Sequence, residues 1–181
     1  MKKLAVLFLL SVVLMSGCDK SSEETERTAL TEEKIEELVG ANDLFTDMRF
    51  ESEYEWYNDF IYPLKENNWK VSKEEIDETL KLIDEKKQVV ASINPEDIKM
   101  YIDYKYNDLT AEIGEEDDKL KAEMEEDADS VRDTLSAMKE ILDIIETDVK
   151  YGLDENIDGT EIQNIENSYS EILKIYDARI K

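Results

Sequence analysis

The stretch "MEEDADSVRDTLSAMKEILDIIETDV", residues 124–149, repeats apolar residues in alternating steps of four and three. Steps of this kind average 3.5 residues, which keeps one face of a helix turned towards a partner helix. The stretch therefore predicts a long helix with a coiled-coil-like seam. The seam positions are Met124, Ala128, Val131, Leu135, Met138, Leu142, Ile145 and Val149.

The last segment of the chain continues the same spacing. Its apolar positions are Ile162, Ile165, Tyr169, Ile172 and Tyr176. A short loop near residues 152–159 separates the two segments, so we expect the helices to pack antiparallel. With two prolines, five glycines and no period-two runs, the sequence predicts an all-α fold: an elongated antiparallel helical bundle with coiled-coil-like long helices.

Helix-start signals divide the region before residue 70. Thr31 is expected to cap a short helix that ends near Gly40. Asn42 is expected to cap a second helix that continues to the neighbourhood of Pro63.

Two further boundaries lie between residues 70 and 100. Ser72 and Glu75 form a capping-box pattern, in which each side chain accepts a backbone hydrogen bond of the other. Asn94-Pro95 is expected to end that helix and begin the next, because proline suits the first helical position.

The N-terminal segment has the pattern of an export signal. Two lysines precede an uncharged run over residues 4–15, which would span about 18 Å as a helix, too little for a bilayer core of ~30 Å. The small pair Ser16-Gly17 follows and leads into Cys18, the only cysteine of the chain. Residues 1–17 are therefore expected to be a cleaved signal peptide.

Met15-Ser16-Gly17-Cys18 resembles the lipobox of bacterial lipoproteins. The resemblance implies a diacylglycerol group on the Cys18 sulfur, cleavage before Cys18 and a further acyl chain such as palmitate. It places the protein on the outer face of the cytoplasmic membrane. Residues 18–30 are then a lipidated cysteine with a flexible tether, and residues 31–181 are the helical domain.

The composition excludes several classes of function. A net charge of −25 argues against nucleic-acid binding and favours a cationic or protein partner. The chain has no histidine, and its single cysteine is the predicted lipidation site. The usual general bases and thiol nucleophiles are thus missing, and we expect no enzymatic activity. The ten carboxylates within residues 112–129 are expected to form a solvated face.

The stretch "LDENIDGTEI", residues 153–162, resembles the first half of a calcium-binding EF-hand loop. The second half departs from that pattern, since Ile165 stands where the loop needs a carboxylate. Glu166 follows one place late and would serve this role only if the loop accommodated one extra residue after its turn. The alternative is a corner between helices, with Thr160 and Gln163 as a capping box. The sequence favours the corner; the candidate metal ligands are Asp154, Asn156, Asp158, Thr160 and Glu166.

An aromatic segment, residues 45–69, gives the second candidate site. Its rings cover about half of a helix circumference, as a core-facing helix requires. Arg49 and Glu53, four residues apart, project into the same apolar arc, which predicts either an ion pair at the mouth of a groove or a paired charge at the edge of the core. The packing interpretation is favoured. The alternative is a partner-binding surface made of Arg49, Glu53, Trp56 and Phe60.

"ANDLF" and "EYEWYNDFIYPL" make the chain similar to small Gram-positive lipoproteins named for motifs such as NDxxF or EMYY, although neither motif is present literally. The sequence thus predicts a non-enzymatic, lipid-anchored, extracytoplasmic lipoprotein that presents a protein- or ligand-binding surface. Two alternatives are a calcium-responsive module using residues 154–166 and an envelope exclusion or immunity lipoprotein.

Overall fold

A computed structural model describes residues 30–113, 118–153 and 157–180. Seven helices and no strand occur in these ranges, so the predicted all-α fold is confirmed. The helices are α1 (Glu32–Tyr54), α2 (Trp56–Phe60), α3 (Tyr62–Glu66), α4 (Lys73–Ser92), α5 (Pro95–Ile113), α6 (Asp118–Tyr151) and α7 (Gly159–Arg179). Residues Thr31–Lys181 form one compact unit. The predicted signal peptide, Cys18 and most of the tether lie outside the described residues.

Helix α6 lies at the centre of this unit and contacts α4, α5 and α7, as well as α1 and α2. The heptad seam is fully buried from Val131 to Val149, whereas Met124 and Ala128 are only half-buried. Thr134, Ala137, Ile141 and Asp148 are buried beside it. The buried stripe is therefore wider than a coiled-coil seam, because α6 has helices on several sides.

Helices α6 and α7 pack antiparallel. The Thr134 hydroxyl donates to the Arg179 carbonyl at 3.0 Å, and the Ser168 hydroxyl donates to the Asp148 carboxylate at 3.1 Å. The residue numbers rise on one helix while they fall on the other. This direction agrees with the prediction from the short loop between them.

The helix boundaries at Ser72 and Pro95 are also confirmed. Ser72 accepts from the Glu75 amide at 3.2 Å, and the Glu75 carboxylate accepts from the Ser72 amide at 2.7 Å. Helix α4 ends at Ser92, and α5 begins at Pro95.

The predicted helix break between Gly40 and Asn42 is wrong, because α1 runs without interruption from Glu32 to Tyr54. A glycine inside a helix costs about 1 kcal/mol relative to alanine. The burial of Leu38, Phe45 and Met48 on one side of α1 outweighs this cost.

The predicted continuous helix up to Pro63 is also wrong. Helix α1 ends at Tyr54, and the chain continues as the short helices α2 and α3. Proline has no amide hydrogen, and its ring collides with the carbonyl four residues earlier. The break between α2 and α3 at Ile61 follows from Pro63, which occupies the first turn of α3.

Candidate functional site

A cleft of about 810 Å³ lies where the α3–α4 loop meets the α6–α7 connection. We call it the corner cleft. Its apolar lining comes from both sides of this meeting point, and its polar lining comes mainly from the α3–α4 loop. The lining residues are Asn68, Trp69, Lys70, Val71, Lys73, Gly152, Leu153, Ile157 and Ile162.

The α3–α4 loop begins with a Schellman motif. The Trp69 amide donates to the Leu64 carbonyl at 2.8 Å, and the Asn68 amide donates to the Lys65 carbonyl at 3.0 Å. This motif requires a left-handed residue after the helix, which Asn68 provides with a φ of 52°. Trp69, with a φ of 61°, follows in the same region, where a bulky residue is rare.

Trp69 is held in this unfavourable conformation by its surroundings. Its side chain is 7% exposed and belongs to the hydrophobic core together with Leu64. Strained residues of this kind persist only where packing fixes them, and they are concentrated at ligand-binding sites. A left-handed tryptophan has no sequence signal, so this loop could not be predicted from the sequence.

The other side of the cleft is shaped by Gly152. A methyl group at this position would lie 2.7 Å from Ile76 Cδ1 of α4, so the end of α6 approaches α4 too closely for a larger residue. Helix α6 ends at Tyr151, directly before Gly152.

Two lysines are the charged residues in the described lining of the cleft. Lys70 and Lys73 are exposed, and neither has an ion pair with another described residue. The chain as a whole contains 47 acidic and 22 basic residues. A cleft with both apolar and polar lining, and with two ammonium groups that have no ion pair among the described residues, has the chemistry to hold an apolar ligand with an acidic group.

The predicted metal ligands are only partly described. Asp154 and Asn156 lie outside the described residues. Asp158 is the N-cap of α7: its Oδ1 accepts from the amides of Thr160 at 2.7 Å and Glu161 at 3.2 Å. These two hydrogen bonds hold the pKa of Asp158 below its usual value, and the one from the Glu161 amide has the larger effect.

The remaining predicted ligand, Glu166, is directed elsewhere. Its carboxylate lies 3.7 Å from the Lys65 ammonium and accepts from Gln163 Nε2 at 3.5 Å. In the described part of the chain, no three His, Cys, Asp or Glu side chains come together in a way that could hold a metal ion. The calcium site over residues 154–166 stays a prediction.

The corner interpretation of this stretch requires one correction. The capping box of α7 consists of Asp158 and Glu161, whose carboxylate accepts from the Asp158 amide at 2.9 Å. The expected pair of Thr160 and Gln163 does not form it. Aspartate accepts amide hydrogens as readily as threonine, and its earlier position lets α7 begin at Gly159.

The predicted partner-binding surface is not assembled. Trp56 is 1% exposed and Phe60 is 6% exposed, so both rings belong to the core and cannot form a surface. The Trp56 indole donates to the Glu51 carboxylate at 3.0 Å. The packing interpretation therefore holds for these two rings.

Arg49 and Glu53 are not paired with each other. Arg49 is half-buried and lines a groove of about 170 Å³ with Asp127 and Ile98, whereas Glu53 is exposed. A hydrogen bond to the Glu53 carboxylate raises the pKa of the Tyr54 hydroxyl. The expected pairing is wrong: Glu53 is a hydrogen-bond partner of the Tyr54 and Tyr176 hydroxyls instead, although Arg49 also lies near Tyr176.

The acidic run over residues 112–129 is described only in part. Asp118, Glu123, Glu125, Asp127 and Asp129 are exposed. Lys119 lies 3.2 Å from Glu123, and Lys99 lies 3.8 Å from Asp129. These carboxylates belong to a solvated face, as expected.

Among the described residues, no helix combines the length and the apolar character needed to cross a membrane. No protein-family model, no curated protein and no solved structure matches this chain.

Proposed function

We propose that this chain is a non-enzymatic binding protein whose ligand, an apolar molecule or segment with an acidic group, occupies the corner cleft. The observation that carries the proposal is the left-handed, buried Trp69 at the wall of a cleft of about 810 Å³. This volume lies in the range of roughly 300–1,000 Å³ that is typical of ligand sites. The absence of histidine from the sequence supports binding over catalysis.

The proposal includes a lipid anchor at Cys18 that holds the helical domain at the outer face of the cytoplasmic membrane. The support is the sequence of the first eighteen residues, in which an apolar run leads to Ser16, Gly17 and the single cysteine. Two acyl chains anchor a protein stably, whereas one does so only marginally.

The cleft can be tested with 1-anilinonaphthalene-8-sulfonate, an apolar anionic dye that becomes fluorescent in such sites. We expect one saturable site and a loss of roughly tenfold in affinity in the double variant Lys70→Gln/Lys73→Gln, because both ammonium groups attract the sulfonate. Lys139→Gln/Lys174→Gln is the matched control: both lysines are exposed and neither lines the cleft. Equal affinity in the two double variants would refute the assignment.

The anchor can be tested by labelling with a palmitate analogue in bacterial cells. The wild-type chain should carry the label and partition into detergent, whereas Cys18→Ser should do neither. Label on Cys18→Ser, or none on the wild type, would remove the anchor from the proposal and leave the cleft untouched.

A further inference from the structure

A second site lies halfway along the contact between α6 and α7, away from the corner cleft. A groove of about 310 Å³ runs between the two helices; we call it the acidic groove. It contains four carboxylates, two hydroxyls and one aliphatic side chain. The lining residues are Glu140, Asp143, Ile144, Thr147, Asp148, Ser168 and Glu171.

Asp148 is the unusual member of this groove. Its side chain is 2% exposed, and its Oδ2 atom has no hydrogen-bond partner among the described residues. Its Oδ1 atom accepts from the Ser168 hydroxyl at 3.1 Å, but the same hydroxyl also lies 3.1 Å from the Asn164 carbonyl. A serine hydroxyl carries one hydrogen, so Asp148 shares even this bond.

Apart from the shared Ser168 hydrogen bond, the groups that face Asp148 do not stabilise its charge. Glu171 of α7 adds a second negative charge, and Tyr57 of α2 and Tyr169 of α7 place their rings 4.5 Å apart nearby. Burial raises the pKa of Asp148 from 3.8 to about 7, and the charge of Glu171 adds to this effect, whereas the Ser168 hydrogen bond opposes it.

The other carboxylates of the groove are mostly engaged. Glu140 pairs with Arg179, and Asp143 pairs with Lys87. Asp148 and Glu171 have no ion pair with another described residue. A divalent metal ion needs about six oxygen ligands, more than these two side chains supply.

Protonation would neutralise Asp148, but it brings no new group to Oδ2, which has no hydrogen-bond partner among the described residues. A cation that brings its own hydrogen-bond donors would satisfy it. A primary ammonium group has three donors, and Asp148 Oδ2, Ser168 Oγ and the Glu171 carboxylate offer acceptors. Ile144 is half-buried in the same groove and provides an apolar surface for a methylene chain.

We propose that the acidic groove binds a primary alkylammonium group, with Asp148 and Glu171 as its counter-charges and Ile144 against its alkyl chain. The ligand is the side chain of a lysine or a free aliphatic amine, which share this chemistry. This site is independent of the corner cleft, since no residue lines both.

The test is an NMR titration of the full-length protein with n-butylammonium at pH 8. Binding is followed at the backbone amides of Thr147 and Ser168. We expect saturable shifts in the wild type and at least tenfold weaker binding in Asp148→Asn, which keeps the shape of the side chain. Asp103→Asn, an exposed aspartate of α5, is the control for the loss of one charge and should bind within twofold of the wild type.

The affinity should also rise about tenfold between pH 6 and pH 8, because the ligand stays cationic while Asp148, with a pKa of about 7, becomes ionised. Tighter binding of a peptide lysine would identify the lysine source, and tighter binding of 1,4-diaminobutane the free amine; either supports the proposal. Equal shifts with tetramethylammonium at the same ionic strength, or unchanged affinity in Asp148→Asn, would overturn it.

Discussion

Asp148 and Asp158 lie ten residues apart, on either side of the turn from α6 to α7, and their environments are opposite. Asp158 is exposed and accepts two backbone amides, which lower its pKa. Asp148 is 2% exposed, has one unpartnered oxygen and has its pKa raised to about 7. The Asp158 carboxylate is hydrogen-bonded by residues close to it in sequence. The hydrogen bonds of Asp148 in the acidic groove depend instead on residues of α7 that reach it only through helix packing.

The difference between Asp148 and Asp158 shows that the carboxylate without a full set of hydrogen-bond partners lies between packed helices and not at a helix cap. A helix cap uses contacts only two or three residues away and forms wherever the helix forms. A buried carboxylate without a partner costs free energy and is retained only if something compensates for it. The acidic groove is therefore a better candidate for a cation site than the stretch around Asp158.

The largest expected effect is the pH dependence of stability through Asp148. The unfolded carboxyl titrates near 3.8 and the folded one near 7, so the folded state keeps a proton that the unfolded state releases. The free energy of unfolding should therefore fall by roughly 4 kcal/mol as the pH rises from 4 to above 7. Chemical denaturation at several pH values measures it.

Asp148→Asn should remove most of this trend. The variant should match the wild type near pH 4 and be several kcal/mol more stable at pH 8, because asparagine is never charged. Asp103→Asn should keep the wild-type slope. If Asp148→Asn loses stability at pH 8, the carboxylate is satisfied in solution and the contrast with Asp158 disappears.

A smaller effect is expected at the end of α6. Gly152→Ala places a methyl group 2.7 Å from Ile76 Cδ1 and 3.1 Å from the Val149 carbonyl. Because Ile76 is fully buried, we expect a loss of about 1–3 kcal/mol in the free energy of unfolding. Gly159→Ala has open space around its methyl group, so it should be neutral or slightly stabilising. A loss at Gly159 as large as that at Gly152 would contradict the close approach of α6 to α4.

Loss of the Asp158 cap should lower the melting temperature by on the order of a few degrees in Asp158→Ala. Asp158→Asn should retain most of the cap, since its side-chain oxygen still accepts both amides. The pKa of Asp158 is lowered on folding, so its contribution is present at neutral pH and is lost as the pH falls through that lowered value. A trend in the same direction as that of Asp148 would refute the capping role.

The smallest effect concerns the loop before α4. Asn68 has a φ of 52° and is exposed, so Asn68→Gly should raise the free energy of unfolding by about 0.5 kcal/mol, since glycine adopts this region without steric cost. Asn67→Gly is the control: its φ of −85° gives glycine no such advantage. Equal stabilisation in both variants would mean that the left-handed turn is not the cause.

Local signals in the sequence were sufficient for much of the fold. The heptad seam from Val131 to Val149 and the Ser72–Glu75 box depend on spacing and nearby backbone, and both are present. The helix break predicted at Gly40 is wrong because the local cost of this glycine is outweighed by burial elsewhere on α1. Helix breaks around Trp56 depend on tertiary packing and on Pro63 rather than on periodicity.

The corner cleft and the acidic groove also differ in how far the sequence predicts them. The left-handed Trp69 has no sequence signal, and the corner cleft could not be inferred. Asp148 does have a sequence signal. It lies three residues after Ile145 and seven after Ile141, in line with the apolar stripe of α6. An acid at such a position predicts a buried carboxylate, but Ser168 and Glu171 reach it only when α7 packs back on α6.

The most direct test of the central contrast is a carbon-13 NMR titration of the side-chain carboxyls of Asp148 and Asp158 in one sample. We expect a midpoint near 7 for Asp148 and one below the ordinary aspartate value for Asp158. A midpoint below about 5 for Asp148 would show that its charge is already satisfied, and it would remove the basis for an ammonium site in the acidic groove.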